Sequence, residues 1–276
     1  MARKKIAVSI VVTHILLIII CIMVLFPTFW MVSTSFKQPN ELFSEGLELF
    51  PRHPTLDNYV SASTKYPIIA WFLNSTFISM AIVLGQLITS LLAAYGLARF
   101  KFPGRTIAFW LILGTLIVPF QVTMIPNYIL VSKLGWLNTP WAVIVPYLAS
   151  GFATFFLRQH ILTLPDELFD AATIDGANSW QTLVRVITPL CKAPMFALMI
   201  LLFINAWNMY FWPLLVLSKP VAQTIAIGIR QFLDAELGYA WGELSAAATL
   251  ASLPTMVIYL FAQRHIINMS ITSGLK

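Results

Sequence analysis

Six stretches of the chain contain no Asp, Glu, Lys or Arg and are each long enough to cross a bilayer as a helix. They cover residues 6–36, 66–98, 106–132, 134–157, 193–218 and 244–263. A helix needs about 20 residues to cross the hydrocarbon core, whereas a barrel strand needs about ten of alternating polarity. Because the stretches are long and continuously apolar, the pattern predicts an all-α, polytopic membrane protein with six transmembrane helices.

The composition points to the lipid bilayer as the environment of this chain. Of its 276 residues, 59% are hydrophobic and only 10% are charged, and the mean hydropathy is +0.81. A soluble domain has roughly a quarter charged residues, so these charges are too few to cover a surface in water. The net charge is +6, but no polar stretch interleaves basic and aromatic residues, so we expect no nucleic acid partner.

The distribution of basic residues predicts the orientation. With six helices both termini share one side, and that side holds eleven of the seventeen Lys and Arg residues. The positive-inside rule then places both termini in the cytoplasm. The first apolar stretch is too long for a signal peptide and lacks a small-residue cleavage site, so we interpret it as a retained helix. We expect two parts: residues 1–65, the first helix with an outer loop, and residues 66–276, a core of five helices.

The inward segment 158–192 is far longer than a simple helix connection. A hydroxyl residue, a proline and an acid at residues 163–166 are typical of a helix start. Gly176 can adopt the left-handed conformation that ends a short helix, and Asn178 or Ser179 can cap a second helix that runs toward a proline. The pattern predicts two short helices at the membrane surface, joined by a glycine corner.

The first of these helices has the features of a docking element. Acidic side chains would attract basic partners, and a pair of alanines on the same face as Leu168 would let another surface approach closely. The candidate residues are Glu167, Asp170, Ala171, Ala172, Asp175 and Gly176. The spacing alone fits equally an interfacial helix that lies on the lipid headgroups.

The sequence Glu-Leu-Phe-Asp-Ala-Ala-Thr-Ile-Asp-Gly-Ala at residues 167–177, followed by Pro189, resembles the "EAA" loop of permease subunits of ATP-binding-cassette (ABC) importers. The carbohydrate-uptake branch, with its maltose and glycerol-3-phosphate permeases, matches best. Asp170 stands at the usual Glu position and Thr188 replaces the usual Leu. Further landmarks follow in order along nearly the whole chain: residues 27–30, 35–37, 102–105, 119 with 126, 134–139, and 206–208 with 212–213.

The resemblance implies a type I ABC importer permease in a bacterial cytoplasmic (inner) membrane. Such a subunit forms the translocation pathway with a second permease and imports a sugar or a sugar-like polyol, including sn-glycerol-3-phosphate. The importer would contain two copies of a cytoplasmic ATPase that bind ATP and Mg, and the short inward helix of this chain would dock into a groove on the ATPase subunit. An extracytoplasmic solute-binding protein would deliver the solute. In maltose-type permeases the loop that matches the outer segment 219–243, which contains Arg230, Asp234 and Glu236, reaches into that protein, and an ordinary solvated loop fits the sequence equally.

The sequence lacks the motifs of an enzyme. It contains no Gly-x-x-x-x-Gly-Lys-Ser/Thr phosphate loop, and its four His and two Cys lack metal-ligand spacing. We therefore predict no catalytic residue, no metal and no cofactor in this chain. An ion-coupled secondary carrier remains an alternative, although the apolar stretches lack the ionisable groups that such carriers commonly place near the midplane. An importer permease for a non-carbohydrate solute remains another.

Candidate solute contacts are the hydrogen-bonding and aromatic residues inside the apolar stretches. The fifth stretch offers Asn205, Trp207, Asn208 and Trp212, and the third offers Gln121. We expect Asn205 and Asn208 to share a helical face with Trp212, and Pro213 to break the helix. The same residues would also suit hydrogen bonds between helices and anchoring at the membrane interface.

Overall fold

Helices make up all the regular secondary structure of the described residues, which confirms the predicted all-α class. The computed structural model describes the backbone of residues 2–42, 48–233 and 240–273, and the side chains of residues 10–42, 48–233 and 240–263. The chain packs as two compact units. Unit 1 comprises Met1–Ile69 and Ile229–Leu253, and unit 2 comprises Ala70–Gly228 and Pro254–Lys276. The division at residue 65 expected from the sequence stays a prediction.

The helices vary widely in length, from three residues to 34. In chain order they are α1 (Ala2–Ser35), α2 (Asp57–Lys65), α3 (Ile68–Arg99), α4 (Arg105–Gly114), α5 (Phe120–Lys133), α6 (Pro140–Ile144), α7 (Gly151–Leu162), α8 (Glu167–Ile174), α9 (Ser179–Thr182), α10 (Thr188–Leu190), α11 (Lys192–Trp207), α12 (Phe211–Val216), α13 (Ile225–Gly228) and α14 (Trp241–Ser273). Short 3₁₀ turns cover Val145–Tyr147, Pro220–Ala222 and Ile229–Leu233, and a π turn covers Leu183–Ile187.

Three of the six predicted stretches form unbroken helices that are long and apolar enough to cross a membrane. Within the described residues these are Ile10–Ser35, Ile68–Arg99 and Trp241–Gln263. The fourth stretch bends by 41° between Pro140–Tyr147 and Gly151–Leu162, and Ser179–Leu190 bends by 76° against Lys192–Trp207. The third stretch divides into α4 and α5. The total of six spans therefore stays a prediction.

Two of the interruptions have a local cause in the sequence. Pro119 is extended (φ −62°, ψ 136°) just before α5, and proline disfavours helix in the residue before it. The Ser150 hydroxyl begins α7 by accepting a hydrogen bond from the Ala153 N–H at 3.2 Å. The expected break at Pro213 was wrong in position, because α11 ends at Trp207 and Pro213 lies in the first turn of α12. Proline is tolerated there, since its missing N–H would have no partner in the helix.

Unit 1 is held together by polar side chains that bond the backbone and one another. The buried Asn58 amide donates to the carbonyl oxygens of Ser35 and Lys37, at 3.0 and 2.8 Å. Gly242 packs against Asn58 so closely that a Cβ at this position would overlap the amide. Glu243 accepts hydrogen bonds from Ser61 and Lys65, at 2.5 and 2.6 Å. These contacts fix the chain between α1 and α2 and the start of α14.

The core of unit 2 joins helices that are distant in sequence. Ile82 of α3, Val131 of α5, Ile144 of α6 and Trp212 and Val216 of α12 pack in one buried cluster. The Trp212 Nε1–H donates to the Ala142 carbonyl oxygen at 3.0 Å, which satisfies its buried polar atom. The core therefore lies beside the interruptions of the third, fourth and fifth stretches.

Candidate functional site

The short helix α8 ends in the glycine corner that the sequence predicts. Gly176 has a positive φ of 75°, its N–H donates to the Thr173 carbonyl at 3.0 Å, and the Ala177 N–H donates to the Ala172 carbonyl at 2.9 Å. These two bonds form a Schellman motif, in which a left-handed residue satisfies the last carbonyls of a helix. The end of α8 and the direction of the chain after it are therefore fixed by the backbone.

The second side of the corner is fixed by a capping box. The Asn178 side chain accepts from the Gln181 N–H at 2.8 Å, and the Gln181 side chain accepts from the Asn178 N–H at 2.9 Å. Of the two predicted caps, Asn178 is therefore the one used. The helix continues from α9 through the π turn into α10, which contains Pro189, the proline toward which the second helix was predicted to run. Reciprocal bonds of this kind satisfy two N–H groups that the helix itself leaves free.

The predicted docking residues are exposed with one exception. Ala172 is buried at 8% exposure, so the predicted alanine pair is divided and only Ala171 is open to another surface. Ala172 lies on the side of α8 that packs against the rest of unit 2. The exposed candidates are Glu167, Asp170, Ala171, Asp175 and Gly176.

Large apolar side chains that the sequence analysis missed are also exposed on this segment. Ile174 is 85% exposed, Trp180 65%, Val184 47% and Leu168 39%. An isoleucine and a tryptophan on an otherwise polar corner are the signal that could have identified them. Exposed apolar groups that lie together beside polar ones are typical of protein-binding surfaces. We call the exposed side chains of residues 167–184 the corner surface.

Arg99, the last residue of α3, holds the start of α8. Its guanidinium forms a salt bridge with Asp166, donates to the Leu164 carbonyl at 3.2 Å and lies 3.3 Å from the centre of the Phe169 ring. From the sequence, Arg99 counts only among the eleven basic residues on the side predicted to be cytoplasmic. A cleft of about 410 Å³ adjoins these contacts and is lined in part by Asp170 and Ser179. Arg99 thus links the docking helix to a long membrane helix.

The three interrupted stretches meet at an aromatic cluster. Phe120 follows the break between α4 and α5, and its ring centre lies 6.0 Å from that of Tyr147 and 6.0 Å from that of Trp212. Tyr147 precedes the break before α7, and Trp212 follows the break between α11 and α12. Irregular backbone at membrane depth is tolerated only where it is buried in protein or lines a water-filled cavity. The breaks are therefore candidates for a solute pathway.

Two of the predicted solute contacts are core residues. Trp207 is 3% exposed and Trp212 is 1% exposed. The Trp207 ring stacks on Phe203, with ring centres 5.6 Å apart, and meets the edge of Phe72 at 5.4 Å. In this chain both indoles support the break between α11 and α12 from its buried side.

The three predicted amides, in contrast, are exposed. Asn208 donates to the Ile204 carbonyl at 2.9 Å, and Asn205 and Gln121 are open on the surface of the chain. The expectation that Asn205 shares a face with Trp212 was wrong, because α11 ends at Trp207 and the helical spacing does not continue across the break. Amide groups beside interrupted helices remain suited to hydrogen-bonding a polar solute.

The outer candidates are only partly described. Arg230 is exposed, whereas Asp234 and Glu236 lie outside the described residues. Within the side chains that the structure describes, no three His, Cys, Asp or Glu residues form a group that could hold a metal ion.

Comparison with known proteins gives matches over most of the chain. Residues 86–268 match the family described as the binding-protein-dependent transport system inner membrane component. The chain is 33% identical over 267 residues to the sn-glycerol-3-phosphate transport system permease protein UgpE of Brucella abortus, covering 93% of this chain and 94% of the relative. It is 35% identical over 260 residues to the arabinooligosaccharides transport system permease protein AraQ of Halalkalibacterium halodurans, covering 93% of each.

A solved structure shares the fold. A bacterial ABC transporter involved in the import of the acidic polysaccharide alginate contains a chain that superposes with a TM-score of 0.85, covering 94% of this chain and 96% of its own length at 21% identity. A bacterial alginate ABC transporter in complex with an alginate pentasaccharide-bound periplasmic protein gives a TM-score of 0.67 at 17% identity, covering 94% of each chain. The likeness shows the fold of an importer permease.

Proposed function

Because this chain belongs to the family of binding-protein-dependent transport system inner membrane components, we propose that it forms, with a second permease, the pathway for a sugar or a sugar-like polyol. Two copies of a separate cytoplasmic ATPase, which bind ATP and Mg, drive the transport. An extracytoplasmic solute-binding protein delivers the solute. This chain takes no part in the hydrolysis itself and transmits its effect to the pathway.

The corner surface is the observation that carries the proposal. It carries the exposed acidic residues Asp170 and Asp175 and, in the same short segment, Ile174 and Trp180, which are 85% and 65% exposed. The corner behind it is fixed by the Schellman motif and the capping box, so a force on α8 moves the helix without unfolding it. A rigid, exposed and partly apolar element suits docking to another protein better than passive contact with headgroups.

The proposed orientation places the corner surface in the cytoplasm together with both termini. Arg99 and Arg158 lie on this side, and both have carbonyl or aromatic partners near the ends of their helices. Basic residues near the ends of membrane helices are favoured on the cytoplasmic side. The ATPase must bind there, because ATP is available in the cytoplasm.

The interrupted helices are the proposed solute pathway. Discontinuous helices offer backbone groups to a solute at membrane depth, and the exposed amides of Asn205, Asn208 and Gln121 add side-chain donors and acceptors near these breaks. Trp207 and Trp212 hold the breaks in place from the core. The second permease would cover the exposed apolar faces beside them.

The solute class follows from the relatives, and its identity needs a direct test. The Brucella and Halalkalibacterium relatives are named for sn-glycerol-3-phosphate and for arabinooligosaccharides. The apolar stretches of this chain contain no Lys or Arg, so a phosphate group would need its countercharge from another subunit. Calorimetry of the associated solute-binding protein with sn-glycerol-3-phosphate and with a neutral oligosaccharide would separate the two, since a site built for one pairs its buried polar groups poorly with the other.

Co-purification tests the assembly. The tagged chain, extracted in mild detergent, should retain a second permease and an ATPase, and Asp170→Lys should insert normally yet lose the ATPase because it reverses a charge on the corner surface. Purification of the wild-type chain without any ATPase would contradict the proposal. Ion-driven uptake by proteoliposomes that contain this chain alone would favour the ion-coupled carrier instead.

A further inference from the structure

We propose that Arg99 is the positioning residue that passes the motion of α8 to the membrane helix α3. This inference rests on the proposed docking of α8 to an ATPase, and it names the part of the chain that receives the force. Arg99 touches neither solute nor ATP. Its role is to make the docking helix and a 32-residue membrane helix move together.

The geometry of the guanidinium supports this role. It contacts the chain that leads into α8 at Leu164, the residue before α8 at Asp166, and the first turn of α8 at Phe169. Contacts at three separate residues restrict the movement of the helix start more than a single contact would. A planar guanidinium can donate to two acceptors and stack on a ring at the same time, which an ammonium group cannot do.

Arg99 is also the main polar connection between these elements. Within the described residues, the hydrogen bonds and ion pairs that join α8 and the turn before it to α3 all come from Arg99. Its side chain is only 19% exposed, although Asp166 is 81% exposed. The guanidinium is therefore partly buried beside the cleft, and it holds the more exposed start of α8. A contact between a rigid helix and a partly buried cation is suited to transmitting displacement.

A simpler role would be that of a basic anchor at the cytoplasmic end of a helix. Lys101 separates the two roles. It carries the same charge two residues further along, is exposed, and makes none of the contacts described for Arg99. A topological anchor should tolerate the loss of either residue equally, whereas a positioning role belongs to Arg99 alone. Lys101→Ala is therefore the matched control.

The first measurement is the ratio of solute imported to ATP hydrolysed by the assembled importer in proteoliposomes. Arg99→Ala should lower this ratio about fivefold or more, which is the lower end of typical coupling between sites, while the ATPase stays bound. Lys101→Ala should leave the ratio unchanged. Arg99→Lys should fall between them, because a point charge keeps the Asp166 pair and loses the planar contacts. The double variant Phe169→Leu with Arg99→Ala should lower the ratio by less than the two single effects combined, because each change removes the same contact between the guanidinium and the ring.

The second measurement reports position directly. Spin labels at Ile174→Cys in α8 and Leu92→Cys in α3, in a background with the exposed Cys21 replaced by Ser, should give one narrow distance distribution. Arg99→Ala should broaden it, and Lys101→Ala should not. This readout does not need solute, ATP or a bound ATPase, so it can also be made on the purified chain.

The outcomes separate the two levels of the proposal. If Arg99→Ala keeps the wild-type ratio of solute imported to ATP hydrolysed and an unchanged distance distribution, the positioning role of Arg99 is overturned. If Lys101→Ala lowers that ratio as much as Arg99→Ala does, Arg99 acts only through its positive charge. If the wild-type chain never retains an ATPase, the docking function fails, and the label distances still decide whether Arg99 holds α8 to α3. If Arg99→Ala does not insert, Arg99→Lys and Phe169→Leu carry the same test.

Discussion

Substitutions at Gly176 would measure how much the corner after α8 contributes to coupling. The residue has φ 75°, and a Cβ added there would meet no atom within 4 Å. A side chain therefore costs only the strain of the left-handed backbone, about 1–2 kcal/mol for an ordinary residue. Asparagine adopts this conformation more readily, and a β-branched residue adopts it least. We therefore expect the stability of the corner to fall in the order Gly, Asn, Ala, Val at position 176.

The expected effect on transport follows from that strain. A cost of about 1–2 kcal/mol changes the equilibrium between the folded corner and a relaxed one by roughly 5- to 30-fold. Gly176→Asn should import nearly as much solute per ATP as the wild type, Gly176→Ala several-fold less, and Gly176→Val the least. The assay is uptake and ATP hydrolysis in the same proteoliposomes, with ATPase retention as the control. Equal activity of all three variants, or an Asn variant as poor as Val, would refute the reasoning.

Two further predictions concern packing, and both are read from the midpoint of thermal unfolding in detergent. Trp212→Phe should destabilise the chain by about 1–3 kcal/mol, because it leaves the Ala142 carbonyl without its hydrogen bond. It should leave the KM for uptake unchanged, and a raised KM would contradict a purely structural role. The control Trp110→Phe, at a position 65% exposed, should be neutral. Gly228→Ala should cost about 1–3 kcal/mol, because the new methyl group overlaps a buried indole. Gly96→Ala, which has open space, should be neutral or slightly stabilising; similar midpoints for the two alanine variants would show that the packing is less tight than described.

The elements that could be predicted from the sequence are those with local causes. The end of α8 at Gly176 and the cap of the next helix depend on residues within one turn, so propensity and capping rules predicted the corner and narrowed the cap to Asn178 or Ser179. The family resemblance drawn from residues 167–177 is confirmed by the match over residues 86–268. The apolar stretches gave the helical class for the same reason, since hydropathy depends on composition within a short window.

The features that could not be predicted depend on contacts between distant residues. The indole of Trp212 bonds a carbonyl 70 positions away, and Arg99 pairs with an acid 67 positions away. Hydropathy shows an apolar stretch but not which residue of it faces the core, so it could not show that Trp207 and Trp212 are buried. The break after Trp207 was misplaced because a proline in the first turn of a helix gives the same signal as one that ends a helix.

The most direct test of the account is a cross-link from the exposed corner surface in intact membranes. A short thiol-reactive cross-linker at Ala171→Cys should capture a nucleotide-hydrolysing subunit, and a membrane-impermeant maleimide added from outside the cell should not label this position. Ser218 is exposed and predicted on the outer face, so Ser218→Cys should be labelled by the maleimide from outside and should not capture an ATPase. Labelling of Ala171→Cys from outside, or a cross-linked product that never contains an ATPase, would contradict the claim that this helix receives force from ATP hydrolysis.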